Sequence, residues 1–407
     1  MSGIGAWRLL GSGRKIPENG GAVLADRHAW IDEGAHPVAP GVHRIPLPLP
    51  SDGLRAVNVY AIEAADGLVL IDSGWALANA LEQLERSLAL IGAELPDVRQ
   101  FLVTHMHRDH YTQAVEIRRL LGTTIALGAG EQPSINGLLS GEFRPMRAQL
   151  AVLRLAGAGP VADRLAEATG GGFGARRAPG ANGAAESLMP AGHPALRPGA
   201  TVAAALSYEE PDSWISPDQQ FDLGSRTLTA VATPGHTRGH MVFADLDAGL
   251  LFAGDHVLPH ITPSIGFQEA PSQQPLREYL ESLNVVRRMP DMRLLPAHGP
   301  VSPSAHARID ELVDHHDERL ALMADVLTGG ECTGYDVARA IGWTSRLRKL
   351  DELDLMNQML AICETVYHLD LLVAQGRAVS ISGEDGVRRY RPAESDPELT
   401  RDEEVTA

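Results

Sequence analysis

A chain of 407 residues with 44% hydrophobic and 21% charged side chains can bury a large core and is expected to hold more than one domain. Its net charge of −17 and pI near 5.4 argue against a protein that lives on phosphate backbones. The two cysteines, Cys332 and Cys363, do not make a disulfide framework, so a reducing, cytoplasmic setting is the expectation.

Residues 1–35 mix glycine, charge and a few apolar side chains and are read as an N-terminal extension. Met1 to Gly21 lacks a continuous apolar stretch, and no run approaches the length of a membrane span, so no membrane association is expected. Strand patterning starts at Val42–Leu47 and continues through Ala56–Ile62. Asp66-Gly67 reads as a hairpin turn into Leu68–Ile71. Asp72 or Ser73 can then cap a helix from about Ala76 to Ile91, with Leu81, Leu84, Leu88 and Ile91 on one face. The apolar run Phe101–Val103 follows, then a helix carrying Val115 and Ile117, then a strand over Thr123–Leu127. Residues of about 128–219 read as an insertion: two helical stretches, Pro145–Ala156 and Val161–Thr169, and a Gly/Ala/Pro-rich patch over Gly170–Gly199. Both a cover for a site and a spacer fit that composition. Strands resume over Leu228–Ala232, Met241–Ala244 and Leu250–Ala253. A helix over Pro275–Met289 precedes Arg293–Gly299, and another over Ser304–Thr328 carries His315 and His316 on what reads as a solvated face.

Beyond residue 325 the pattern changes. Helices over Thr333–Ile341 and Leu353–Gln375 precede two short strands around the turn Gly383–Gly386, the order of a winged helix over residues 326–395. Residues 396–407 form an acidic tail. The catalytic portion is therefore placed at 36–325.

The chemistry concentrates in Thr104-His105-Met106-His107-Arg108-Asp109-His110. Strand-like alternation aims His105 and His107 to one side, while Asp109 and His110 lie past the turn, so one loop can feed two neighbouring ions. Imidazole and carboxylate are ligands that zinc and related divalent metals take. Three more strand ends carry His236, Asp255 and His298, each beside a glycine that permits a sharp turn.

In this order, THMHRDH, TPGHTRGH, GDH and PAHG resemble the metallo-β-lactamase-fold hydrolases of the glyoxalase II-like type, over about residues 41–300 apart from the insertion. The resemblance implies an α/β fold, an αββα sandwich with two divalent metal ions at one edge. It implies a first ion on His105, His107 and His236, a second on Asp109, His110 and His298, and Asp255 bridging both. Zinc is the expected metal, with iron and manganese open. The C-terminal unit resembles the winged-helix domain that accompanies some members, endoribonuclease-like ones included. The resemblance further implies that water activated by such ions would ionise near neutral pH and could attack a polarised carbonyl or phosphoryl group. Asp109 and Asp255 are the expected catalytic carboxylates, with Asp109 a candidate proton donor to the leaving group. Asp72 and His240 are expected to orient ligands, and His256 and His260 to touch substrate or support the fold. The expected substrate is a thioester, lactone or related ester of a small metabolite. The alternatives are an endoribonuclease or phosphodiesterase, a β-lactamase, and a DNA-binding regulator. No basic glutathione-binding cluster is evident, and the winged helix is expected to pack on the catalytic domain or across a homodimer.

Overall fold

Short turns pair the first strands in chain order, and parallel crossovers add the later ones. A computed structural model describes residues 29–50, 54–140, 146–169, 208–268, 270–344 and 346–393. Residues 1–28 of the expected extension, the Gly170–Gly199 patch and the 396–407 tail lie outside the described residues. The first sheet contains β1 (His36–Ala39), β2 (Val42–Pro48), β3 (Ala56–Ala64), β4 (Gly67–Ile71), β5 (Val98–Val103), β6 (Thr124–Gly128) and β7 (Ser213–Ile215), in that spatial order. It is antiparallel up to β4 and parallel beyond, because helices α1 (Ala78–Leu90) and α2 (Arg108–Leu121) carry the chain back. The second sheet runs β12-β11-β10-β9-β8, from β8 (Gln220–Asp222), β9 (Thr227–Ala232), β10 (Met241–Asp245), β11 (Leu250–Gly254) and β12 (Arg293–Pro296).

Side-chain alternation divides these strands between two apolar layers. In β4, Val69 and Ile71 face the second sheet, while Leu68 and Leu70 face α1 and α2. In β10 and β11, Met241, Phe243, Leu250 and Phe252 meet the first sheet, and Val242, Ala244, Leu251 and Ala253 meet helices on the far side. Both faces are covered, so the strands read as continuous apolar runs rather than strict alternation. The layers are helix, sheet, sheet, helix.

The stretch read as an insertion holds α3 (Gln132–Leu139), α4 (Arg147–Leu155) and α5 (Gly159–Ala168) among its described residues, then rejoins the first sheet. The expected span of about 128–219 includes β7, which pairs in parallel with β6. Past α6 (Pro275–Arg287) and α7 (Ala305–Leu327), the C-terminal residues form β13 (Cys332–Thr333), α8 (Gly334–Ala340), α9 (Leu355–Ala374), β14 (Ala378–Ser382) and β15 (Arg388–Pro392), with sheet order β13-β15-β14. Thr333 and Asp336 close a capping box on α8, and Asp354 accepts from the Asn357 amide to start α9. Helix α9 is buried nearly all round, packed against helices α4 to α8. One apolar core runs unbroken from β10 and β11 through α6 and α7 to α9.

Two expectations fail here. Neither Asp72 nor Ser73 caps α1; Leu77 occupies the N-cap with no side-chain bond, and both polar residues turn inward. Nor do His315 and His316 face solvent. They lie at 9% and 1% exposure, and the His316 ring meets Tyr279 on α6 and His368 on α9. Among charges on α7 they look like surface residues, but α9 covers that face from outside the local sequence. Since His368 Nδ1 donates to the Glu364 carbonyl, its Nε2 accepts from His316 Nδ1 at 3.1 Å.

Burial, aided by Arg319, holds His315 down to about 4 and His368 down to about 3, and holds His316 well below its ordinary value. Depressed folded-state values mean that this stabilisation is complete above the unfolded value near 6.5 and is lost as pH falls from there. At pH 5 each of these histidines is expected to withdraw about 2 kcal/mol. Thermal melts between pH 7.5 and pH 5 should show a clearly shallower loss in the triple variant His315→Gln, His316→Gln, His368→Gln than in the parent.

Candidate metal centre

Four strand ends converge at one edge of the sandwich, where the Met241 amide of β10 donates to the Thr104 carbonyl just past β5. Tight backbone packing brings the loops together. Gly254 has φ +50°, and a Cβ there would lie 2.7 Å from both Thr104 Cβ and His240 Nε2. Gly235, at φ +134°, lies so close to α6 that a Cβ would fall 2.4 Å from Tyr279 Cβ.

The first cluster is all imidazole. His105 Nε2 and His107 Nδ1 are 3.0 Å apart, and His236 Nε2 lies 3.3 and 3.1 Å from them. The outward nitrogens settle the tautomers. His236 Nδ1 donates to the Ser264 carbonyl and His107 Nε2 to the Phe267 carbonyl, each at 2.6 Å. His105 Nδ1 donates to Thr104 Oγ1, whose own proton goes to Asp72. Carbonyls only accept, so in their neutral forms the three inward nitrogens are lone pairs with no proton between them. A tetrahedral ion with metal–nitrogen bonds of about 2.0–2.1 Å sets ligand nitrogens about 3.3–3.4 Å apart, close to what is seen.

The second cluster adds carboxylates. His110 Nδ1 donates to Asp72 and His298 Nδ1 to the Ala56 carbonyl, both at 2.8 Å, leaving both Nε2 atoms facing inward. Asp109 Oδ2 lies 3.4 Å from His298 Nε2 and 3.6 Å from His110 Nε2. Asp255 spans both clusters: Oδ1 is 3.3 Å from His298 Nε2, and Oδ2 is 3.5 Å from His236 Nε2. His110 Nε2, His298 Nε2 and Asp255 Oδ1 are buried without a hydrogen-bond partner. Three groupings can each hold a metal ion: His105/His107/His236, His105/His110/Asp255 and Asp109/His110/His298. Orphaned donors of this kind and spacing fit divalent cations.

The two halves differ electrically. In the first, burial and neighbouring imidazoles hold His236 down to about 3 and His105 well below its usual value. In the second, burial opposes charge, but Asp109, Asp72 and Asp255 outweigh it and push His110 up to about 9. Burial likewise opposes charge on His298, yet Asp255 and Asp109 push it up to about 10. Burial raises Asp109, but His110 and His298 pull it below the ordinary carboxylate range. An ionised carboxylate there fits a metal ligand.

Of the supporting residues, Asp72 accepts from the Thr104 amide and hydroxyl and from His110, as a ligand-orienting residue should. His240 uses both nitrogens, donating to Thr233 Oγ1 and accepting from the Asp255 amide, so it holds the Asp255 backbone. His256 is fully buried between His240 and Tyr279, packed behind the site. His260 is exposed beyond it. Three residues escaped the sequence reading. Asn58 donates to the Pro296 and Gly299 carbonyls and pins the His298 turn. Glu131, fully buried, accepts from Thr237 beside His236, and burial pushes it up to about 7. Gln268 accepts from the Arg238 amide. A lone amide inside the apolar run Ala56–Ile62 was the available signal for Asn58; Glu131 and Gln268 offered none.

Comparison with known proteins bears on the family and the fold. The profile of the Metallo-beta-lactamase superfamily matches residues 52–298. A metallo-beta-lactamase family protein from Thermus thermophilus superposes with a TM-score of 0.63 at 23% identity, covering 88% of this chain and all of that one. A beta-lactamase domain protein from Burkholderia ambifaria gives 0.66 at 25% identity, covering 88% and 93%. The lactamase-like protein nscB of Trichophyton rubrum is 32% identical over 131 residues, 31% of this chain and 38% of that protein. The chain thus spans well under half the length of that curated relative.

Gly235→Ala is expected to cost more than about 2 kcal/mol, because backbone of α6 or the His236 turn must move. Gly92→Ala, with φ +75° but nothing within 4 Å of the added carbon, is the control for the backbone penalty alone. Denaturant titration of the two variants should separate them clearly.

Proposed function

The chain belongs to the metallo-beta-lactamase superfamily, and from that premise we propose a two-metal hydrolase, zinc-dependent, acting on a thioester, lactone or related ester of a small metabolite. The observation that carries the reading is the pair of donor clusters sharing Asp255, with lone pairs facing inward and every outward imidazole nitrogen held by an acceptor. When bound, divalent ions supply Lewis acidity to a carbonyl oxygen and lower the pKa of a water to about 7. The chain's own residues do the positioning. His105, His107 and His236 would hold one ion and Asp109, His110 and His298 the other, with Asp255 within reach of both groups. Half-buried His107 and Asp109 mark the open side, where half-buried Phe267 lies edge-on to the His107 ring and Trp75 lies under the Arg108 guanidinium, aromatic surface suited to a small apolar group.

A nucleic-acid substrate is disfavoured by what the basic residues do. Arg388 pairs with Asp370 at 2.8 Å, Arg389 with Asp385 at 2.6 Å, and Lys349 donates to the Ala340 carbonyl. Arg388 and Arg389 thus spend their charge on carboxylates rather than offering it to phosphates. The helix, strand, two helices and hairpin, with sheet order β13-β15-β14, support a winged-helix reading of residues 326–395. A groove-reading helix must be exposed, whereas α9 is buried on nearly all sides, so this unit serves packing rather than DNA recognition.

The deciding experiment is a side-by-side hydrolysis screen of the metal-loaded protein on thioester, lactone, β-lactam and bis-nitrophenyl phosphate substrates. A thioester or lactone should lead the others by at least about tenfold in kcat/KM; faster phosphodiester cleavage would overturn the substrate reading. His107→Ala and Asp255→Ala should each lose metal and more than about 100-fold of the activity while far-ultraviolet circular dichroism stays unchanged. Full metal occupancy with parental turnover in either would remove the assignment.

A further inference from the structure

Two of the three imidazoles in the first cluster are oriented by one short stretch of chain. The carbonyls of Ser264 and Phe267 receive the outward N–H groups of His236 and His107. That stretch lies outside every sheet and helix, so its carbonyls stay in place only if something else anchors it. Gly266 donates its amide to the Gly235 carbonyl at 3.0 Å, tying the stretch to the turn before His236. Gly266 has φ +65°, and a Cβ there would lie 3.0 Å from Pro275 Cγ and 3.2 Å from the Tyr367 hydroxyl of α9.

The far end is knotted by Gln268, which is 7% exposed. Its Oε1 accepts from the Arg238 amide at 3.1 Å and from the Ser134 hydroxyl of α3 at 3.5 Å. Its carbonyl accepts from Gln149 Nε2 of α4 at 3.2 Å, and its amide returns to the Gly266 carbonyl at 3.0 Å. Apart from that last local bond, each joins the 264–268 stretch to the His236 loop or to helices outside the two sheets.

We propose that Gln268 is a positioning residue for the first metal group, and that through it α3 and α4 set how tightly His105, His107 and His236 hold their ion. An imidazole turns freely about its ring bond until its second nitrogen is fixed; the acceptor fixes the direction of the metal-facing lone pair. Loss of the Gln268 side chain frees the Arg238 amide and loosens the two carbonyls together. The second group is oriented by Asp72 and Ala56, neither of which touches this stretch, so the two ions should respond differently.

This inference rests on the two-metal reading, and the test keeps the two apart because no substrate is involved. The full-length protein is loaded with two equivalents of cobalt(II) and titrated with chelator while visible absorption is followed. In Gln268→Ala one ion should leave at a chelator concentration about tenfold or more below the parental value, with altered visible bands, and the other should leave as before. Gln268→Glu keeps an acceptor oxygen and should restore both the release curve and the spectrum. Parental release of both ions from Gln268→Ala, or equal weakening of both, would refute the role of Gln268 and leave the two-metal reading standing. A parent that takes up fewer than two ions would refute that reading and this inference with it. Where Gln268→Ala does not fold, Gln149→Ala removes only the amide that holds the Gln268 carbonyl, and the same selective weakening of one ion is required.

Discussion

Buried lone pairs that face one another must be reconciled by positive charge, and the rest of the molecule is arranged around that constraint. Three imidazole nitrogens within 3.3 Å of one another, each with its proton on the opposite side, repel unless a cation lies between them. Keeping them there requires acceptors behind each ring. The acceptors come from far apart in the chain: Thr104 beside the first ligand, Asp72 from the end of β4, Ala56 from β3, and Ser264 and Phe267 from the stretch after β11. The sandwich brings these five positions to one edge, and its glycines let the loops touch backbone to backbone.

The same constraint explains why the two clusters differ. With its imidazoles crowded together away from solvent, the first disfavours protonation, which leaves its inward lone pairs free to take a cation. With Asp109 and Asp255 beside both imidazoles, the second attracts positive charge and pushes His110 and His298 up, so a cation that takes their inward lone pairs competes with protons there. Asp255 reaches both and couples them electrostatically.

The C-terminal residues belong to this arrangement more closely than a separate module would. Helix α9 shares one apolar core with the outer face of the second sheet, and its Tyr367 closes over Gly266 beside the stretch that orients two ligands. Burial that complete costs the helix any groove-reading surface, while it stabilises the wall behind the metal edge. The buried pair His316 and His368 lies in the same interface, where neutral imidazoles satisfy one another at one hydrogen bond.

Much of the site was legible in the linear chain because each ligand sits just past an apolar strand run and beside a turn-forming glycine. His105, His107, Asp109, His110, His236, Asp255 and His298 follow that local grammar, and the structure brings all seven together. The strands around them were legible for the same reason: period and turn chemistry are properties of neighbours in sequence. The supports were not. Whether Asp72 caps a helix or holds His110, whether His316 meets water or α9, and what Gln268 grips are decided by segments dozens to more than a hundred residues away. Local sequence carries the candidate ligands' identity; apart from His105, whose acceptor is its neighbour Thr104, only the packing of distant elements decides which nitrogen faces inward, because tautomer and ring direction are set by an acceptor that the residue's own neighbours do not encode.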